Sequence, residues 1–345
     1  MSESITIHRS IDEISHEWNA LAEKLKTEPW MRPAWFRIWQ EAFGRGELEI
    51  HTVRDEGVLR GLVVMERIGS ELRSAAATET PSHGFLTESD SESRLLAQSL
   101  LEAADRVNLW PIPAHDASIL RDGALAAGRS LLSRDIGGSP FVRISDWEAY
   151  SAGLETKMLR ELRRRKRRLD ERGDLTLEVT TGRDEWGDLF DECLTLEGRG
   201  WKGESGTAIA SNIATRTFYR RLCMEASDSD WLVIGSLRLD ERLIAFDISL
   251  ELDERHHLMK TSFDPELARY SPGSQLRYLM LRRAFDLQLQ TYEFLGRDDA
   301  WKMEWTSEVR PLQHVRTFPG TLRGSAERIA YRVGRVVKRR LARSQ

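Results

Sequence analysis

A chain of 345 residues, 40% apolar and 31% charged, has room for two domains, each large enough for its own core. No apolar run approaches the roughly 20 residues a membrane helix needs, and the opening MSESITIHRS lacks a charged-then-apolar leader, so a cytoplasmic protein is expected. The formal net charge of -4 conceals an asymmetry, because basic residues cluster at 157–172 and again at the C-terminus.

In chain order, residues 5–8 read as a short strand, 11–25 as a helix, and 33–43 as a second helix opened by proline and rich in aromatics (Trp35, Phe36, Trp39). Residues 48–54 and 58–66 read as a hairpin turning through Asp55, Glu56 and Gly57. The pattern weakens over 70–91, then predicts a helix from about 92 to 104, a strand at 107–109, a helix near 119–127 and a strand ending at 141–144. Between Tyr150 and Gly173 lies TKMLRELRRRKRRLDER, in which nine lysines and arginines surround a thin stripe of Met158, Leu159, Leu162 and Leu169. This is either a solvated connecting helix or one that turns a few cations toward an anionic substrate. The aromatic interleaving of single-strand nucleic-acid binders is missing.

The second half repeats the order of the first. A strand at 175–180, helices at 184–196 and 212–226, a hairpin of 231–239 with 243–252, and a strand at 256–263 lead to a turn, a helix and a strand at 291–295. A final strand at 311–318 is expected to close this sheet. Strand, two helices, hairpin in both halves points to an old duplication. Cys193 and Cys223 fall among leucines in helical stretches and read as small core residues; no metal-ligand spacing occurs and no metal is expected.

The stretch 260–302 organises the second half. Ser271 before Pro272 reads as a helix cap with proline at the first helical position. Leu276, Leu279, Met280, Ala284 and Leu287 then form one apolar stripe, with Arg277, Arg282, Arg283 and Asp286 off it. Such a turn aims main-chain N-H groups and the positive end of the helix dipole at one spot, which suits a phosphate. Gly273 permits close approach, and Arg269 adds a formal charge. A capped core helix that binds nothing fits the same residues.

Glu197 and Lys202 bracket a glycine-bearing GRGW loop, where Trp201 reads either as a ligand contact or as a core plug. The tail 323–345 carries eight basic residues and one acid, with Ile329, Val333, Val336, Val337 and Leu341 on one helical face. It fits an anionic membrane surface or a partner, and equally a terminal helix packed on its own domain.

The order of elements resembles the GNAT acyltransferase fold. More narrowly, EGRGWKG at 197–203, RYSPGS at 269–274, FLGRDDAWKMEW at 294–305, EPWMRPAW near 28–35 and the arginine-rich LRRRKRRL resemble the CelD/BcsL-type, BioF-like acetyltransferases, relatives of the FemAB peptidyltransferases. The resemblance covers most of residues 1–320. It implies an α/β fold of two tandem GNAT-like domains, each a mixed, mostly antiparallel sheet flanked by helices. Residues 1–148 would be a degenerate copy, 149–320 the acetyltransferase domain, and 321–345 a basic amphipathic helix. It implies acetyl-CoA or another acyl-CoA as co-substrate, with its diphosphate on the turn formed by Arg269, Ser271, Gly273, Ser274 and Gln275. The sequence departs from the usual Q/R-x-x-G-x-G/A pattern there, since proline follows Ser271 and the glycine is displaced.

The resemblance also directs the search for catalytic groups. Backbone donors in a splayed gap between two strands would stabilise the oxyanion, so no triad is required. Asp247, and Glu251 four residues on and on the same face, are the expected bases. Trp301 and Lys302 occupy the region where many GNAT enzymes place a proton-donating tyrosine, and Lys302 is the expected acid or anion holder. Glu197, Trp201, Lys202 and Trp301 are expected to meet the acceptor, a small molecule or a sugar of an exopolysaccharide or cell-envelope precursor. Two rivals follow: a FemAB-like aminoacyl transferase drawing on charged tRNA, and a non-catalytic partner in a polysaccharide-synthesis complex.

Overall fold

A computed structural model describes residues 3–154, 156–183, 185–199 and 209–341. The chain forms two units, Met1–Gly137 with Pro311–Gln345, and Gly138–Arg310. The first unit opens with β1 (Glu3–His8), α1 (Ser15–Lys24) and α2 (Pro33–Phe43). Pro33 sits at the first helical position of α2, where no N-H is needed, and Trp35, Phe36 and Trp39 on one face are buried. The hairpin of β2 (Glu47–Asp55) and β3 (Val58–Ile68) turns at Glu56 and Gly57, both left-handed at φ 49° and 82°, a conformation that suits a two-residue hairpin loop. Then come β4 (Glu71–Ser74), β5 (Leu86–Thr87), α3 (Asp90–Ala103), β6 (Arg106–Pro113) and α4 (Ala114–Ala126). Strand β7 (Ser130–Arg143) carries the chain out of this unit.

The second unit continues with α5 (Trp147–Gly153), the basic α6 (Thr156–Asp170), β8 (Leu175–Thr181), α7 (Gly187–Gly198) and α8 (Ile213–Asp228), whose cap Asn212 accepts from the amides of Ala214 and Thr215. Strands β9 (Leu232–Leu239), β10 (Arg242–Leu252) and β11 (Arg255–Phe263) follow, then α9 (Pro272–Asp286), β12 (Thr291–Glu293) and the single turn α10 (Ala300–Met303). Strand β13 (Val309–Phe318) returns the chain to the first unit, which ends in α11 (Leu322–Leu341).

Each unit holds the same device. Strands β1 to β4 pair antiparallel, then β4 pairs parallel with β6 after the crossover helix α3. Strands β8 to β11 likewise pair antiparallel, and β11 pairs parallel with β12 after α9. A parallel pair needs a crossover, and a helix covering the sheet supplies it. Two separate cores result, one around Val63, Leu100 and Leu109, the other around Ile244, Leu276 and Tyr292. Both cysteines are buried free thiols in α7 and α8. The strand expected to close the second sheet at 311–318 instead lies beside β6 in the first unit, with Leu312 opposite Pro113 and Arg316 opposite Asn108. The basic face of α6 is its exposed face, and Leu162 and Leu169 are its buried contacts.

Helix α9 is fixed by its apolar stripe, so Leu276→Ala, at a site with no exposure, is expected to cost about 2–5 kcal/mol. The measurement is a lower urea midpoint at unchanged slope for the transition that reports the second unit.

Candidate active site

Strands β11 and β12 stay together for only three residues, Arg255–His257 against Thr291–Glu293. Beyond them β12 leaves: the Phe294 N-H donates to the Pro140 carbonyl at 2.9 Å, and Leu295 and Gly296 take left-handed φ values of 56° and 64°. Strand β11 runs on to Phe263, paired with β10 on one edge and with no strand among the described residues on the other. The gap is a cavity of about 510 Å³ bounded by Leu258–Phe263 on one side, Phe294–Gly296 on the other, and the start of α9. That volume lies in the ordinary range for a small-molecule site. The unpaired strand edge gives it main-chain donors and acceptors.

At the mouth of the cavity stands the turn into α9. A 3-10 segment, Pro265–Tyr270, leads to Ser271 at φ 51°, and the helix starts at Pro272. Ser271 does not cap the helix with its side chain, as the sequence led one to expect; its Oγ accepts from Arg165 of α6 instead. Its carbonyl accepts from both Ser274 N and Gln275 N at 3.0 Å, and its own N-H donates to the Ala268 carbonyl. Pro272 has no N-H. Gly273 is therefore the one first-turn amide that donates to no protein acceptor among the described residues, and it lines the cavity. A Cβ there would lie 3.2 Å from Phe263 Cδ1, so any side chain would crowd the entrance.

The turn thus offers a single main-chain donor where several were expected, and three cations stand around it. Arg165 touches Ser271, while Arg172 and Arg269 lie over the Tyr270 ring at 5.8 and 4.8 Å. Three guanidinium groups around one turn form an anion-attracting rim. Ser274 lines the cavity, but Gln275 is buried and its Nε2 donates to the Leu162 carbonyl at 2.8 Å. It joins α9 to α6.

The expected bases, Asp247 and Glu251, are both held in ion pairs. Both oxygens of Asp247 are taken by Arg277, at 2.6 and 2.8 Å, and the acid is fully buried. Glu251 accepts from His256 Nδ1 at 2.7 Å and from Arg283. Burial alone would raise its pKa; the hydrogen bonds from His256 and Arg283 outweigh that and hold it down at about 2. A carboxylate so acidic is a poor proton acceptor. The two acids do share a face, as strand periodicity required, and that face meets α9.

Arg277, expected to lie off the buried stripe, is 1% exposed and lines the cavity. Besides Asp247 on β10 it donates to the Tyr292 hydroxyl on β12, so one guanidinium ties the two strands that flank β11. The Phe294 and Trp301 rings lie 5.8 Å from it. Trp301 is 38% exposed and forms a cavity wall.

Lys302 also borders the cavity, with its ammonium filled: Leu295 O and Arg297 O accept at 2.8 Å, and Asp299 lies at 3.0 Å. Burial lowers its pKa, against the pull of Asp299. Lys302 therefore pins the loop after β12.

Glu197 is fully buried, accepting from Ile209 N at 2.7 Å and meeting Lys260 Nζ at 3.1 Å. Through Lys260, a residue that the sequence pattern did not single out although a lysine inside an apolar strand was a visible signal, it meets the cavity wall. Trp201 and Lys202 lie outside the described residues. Among the described residues no group of His, Cys, Asp or Glu is arranged to hold a metal ion.

The first unit closes the equivalent gap with its own chain. Past the parallel pair of β4 and β6, the Trp110 N-H donates to Ser74 Oγ at 2.9 Å and the Pro111 carbonyl accepts from His83 N at 2.6 Å. His83, buried, gives its Nε2 to the Val64 carbonyl.

Comparison with known proteins agrees with this geometry. The family described as acetyltransferase (GNAT) domain matches residues 156–303, which include both strands of the gap and the turn. A tandem GNAT protein from the clavulanic acid biosynthesis pathway superposes with a TM-score of 0.50 at 11% identity, covering 93% of this chain and 99% of that one. The chain has the fold of a tandem GNAT protein. The same tandem is similar to FemX (TM-score 0.59, 11% identity, 92% and 97% covered) and to the C-terminal domain of a candidate lysylphosphatidylglycerol synthetase from Agrobacterium fabrum (0.58, 13%, 93% and 95%). No curated protein sequence matches. At such identities the likeness carries the fold alone.

The Glu251–Arg283 ion pair, with the His256 hydrogen bond beside it, gives the second unit an acid-sensitive point. The folded pKa of Glu251 lies below the unfolded value near 4.5, so its stabilisation is present above pH 4.5 and is lost as pH falls toward 2. Glu251→Gln is expected to lose about 2–3 kcal/mol at pH 7, and the difference from wild type should vanish by pH 2 in denaturant titrations run across that range.

Proposed function

We propose that the second GNAT-like unit is an acyl-CoA-dependent acyltransferase. The observation that carries the reading is the gap between β11 and β12, opening beside Gly273. In this reading the pantetheine arm lies along the free edge of β11 as a strand would, exchanging hydrogen bonds with main-chain groups. The diphosphate sits at the Gly273 N-H and is neutralised by Arg165 and Arg269. The acyl carbonyl reaches the narrow end of the gap. There a neutral amine or hydroxyl attacks it, the carbonyl oxygen takes the developing negative charge onto main-chain N-H donors, and the adduct collapses with cleavage of the C–S bond, the nucleophile's proton ending on the departing CoA thiolate. Trp301 covers the entry on the acceptor side. The first unit has no comparable role, since Ser74 and His83 occupy its gap.

For the acceptor we favour a sugar amine or hydroxyl of an exopolysaccharide or cell-envelope precursor, on the resemblance of the 197–203, 269–274 and 294–305 segments to CelD/BcsL-type acetyltransferases. Aminoacyl transfer from a charged tRNA is the second reading. The likeness of the whole tandem to FemX favours it, and the exposed arginines of α6 suit an anionic donor.

Isothermal titration with acetyl-CoA separates the two. Binding heat is expected from the wild type, and Gly273→Glu, which puts a side chain and a negative charge at the entrance, should weaken it by about 100-fold or more, near 2.7 kcal/mol. Silence from a folded wild type favours the aminoacyl reading. Undiminished affinity in Gly273→Glu removes the diphosphate from this turn. Thiol release with a panel of amino sugars then identifies the acceptor class.

A further inference from the structure

The basic C-terminal helix plays no part in the transfer reading, yet α11 is not simply packed away. One face is fastened to the first unit: Glu327 makes a two-pronged ion pair with Arg106 at 2.7 to 3.0 Å, and the Tyr331 ring lies 6.2 Å from Phe318 and 4.6 Å from the Arg316 guanidinium. Gly324, one turn before Glu327, is buried on the same face. Ile329 and Val333 each stand two positions beyond these anchors, about 200° around the helix. They are 58% and 56% exposed, and Leu322 on their side is 92% exposed.

An apolar stripe held away from its own domain needs an occupant. Charge selects it. Residues 323–345 contain eight lysines and arginines and one acid, although the whole chain carries a net -4. A second copy of this chain would bring the same cations against them. No described helix is long and apolar enough to cross a membrane. We propose that α11 lies in the plane of an anionic bilayer surface, its Leu322, Ile329 and Val333 side buried among acyl chains and its arginines at the headgroups. The Arg106–Glu327 pair fixes which side of the helix faces the lipid. This inference does not depend on what the gap between β11 and β12 binds.

The test is co-sedimentation of the full chain with phosphatidylglycerol/phosphatidylcholine vesicles and with phosphatidylcholine vesicles alone. The wild type is expected to pellet with the anionic vesicles only, and less so at high salt. The double variant Ile329→Asp/Val333→Asp should partition about tenfold more weakly. Arg332→Glu should weaken binding to anionic vesicles while leaving the melting temperature and oligomeric state unchanged. Wild type that stays in the supernatant overturns the proposal, as does double-variant protein that pellets as well as wild type. A wild-type dimer in light scattering that the double variant splits overturns it too, and assigns the stripe to a second copy.

Discussion

A single guanidinium governs the site. Arg277 reaches from α9 to Asp247 on β10 and to Tyr292 on β12, crossing the strand between them close to where that strand loses its parallel neighbour. Removing either partner would leave a charge or a hydroxyl uncompensated in the interior, which costs far more than the net gain of forming the contacts. The pairing is therefore better understood as fixing a geometry than as adding stability. Flanked by the Phe294 and Trp301 rings, it keeps the two strands at a set separation and the gap at a set width.

The acids of β10 take on a different meaning in this light. Their position in an apolar strand marked them as unusual, and the strand period correctly put them on one face. What the sequence did not reveal is the identity of their partners. Arg277 and Arg283 sit some 30 residues downstream, on a helix whose cations were expected only to lie off its apolar stripe. A polar residue near the border of an amphipathic helix can point either way, and only the partner across the interface decides.

The fold was legible for the opposite reason. Helix starts at Pro33 and Pro272, the hairpin at Glu56 and Gly57, and the crossover through α9 are local signals, written in neighbouring residues. The cavity was legible by resemblance, and its position beside Gly273 followed from the turn. The hydrogen bonding of the turn was not, because the left-handed Ser271 uses its carbonyl to absorb two amides and its hydroxyl to receive Arg165. Nor was the path of 311–318, which joins a strand two hundred residues earlier; no local pattern records such a pairing.

The two parallel pairs have diverged in a direction that is hard to reverse. In the first unit His83, its imidazole pKa pushed down to about 4 by burial, gives its ring Nε2 to Val64 and its main-chain N-H to Pro111 at the edge of β6, and a serine hydroxyl accepts from the amide beside it. Reopening that space would take several simultaneous replacements, each harmful alone. Opening a channel there would break three hydrogen bonds at once, those of His83 Nε2 to Val64, His83 N-H to Pro111 and Trp110 N-H to Ser74.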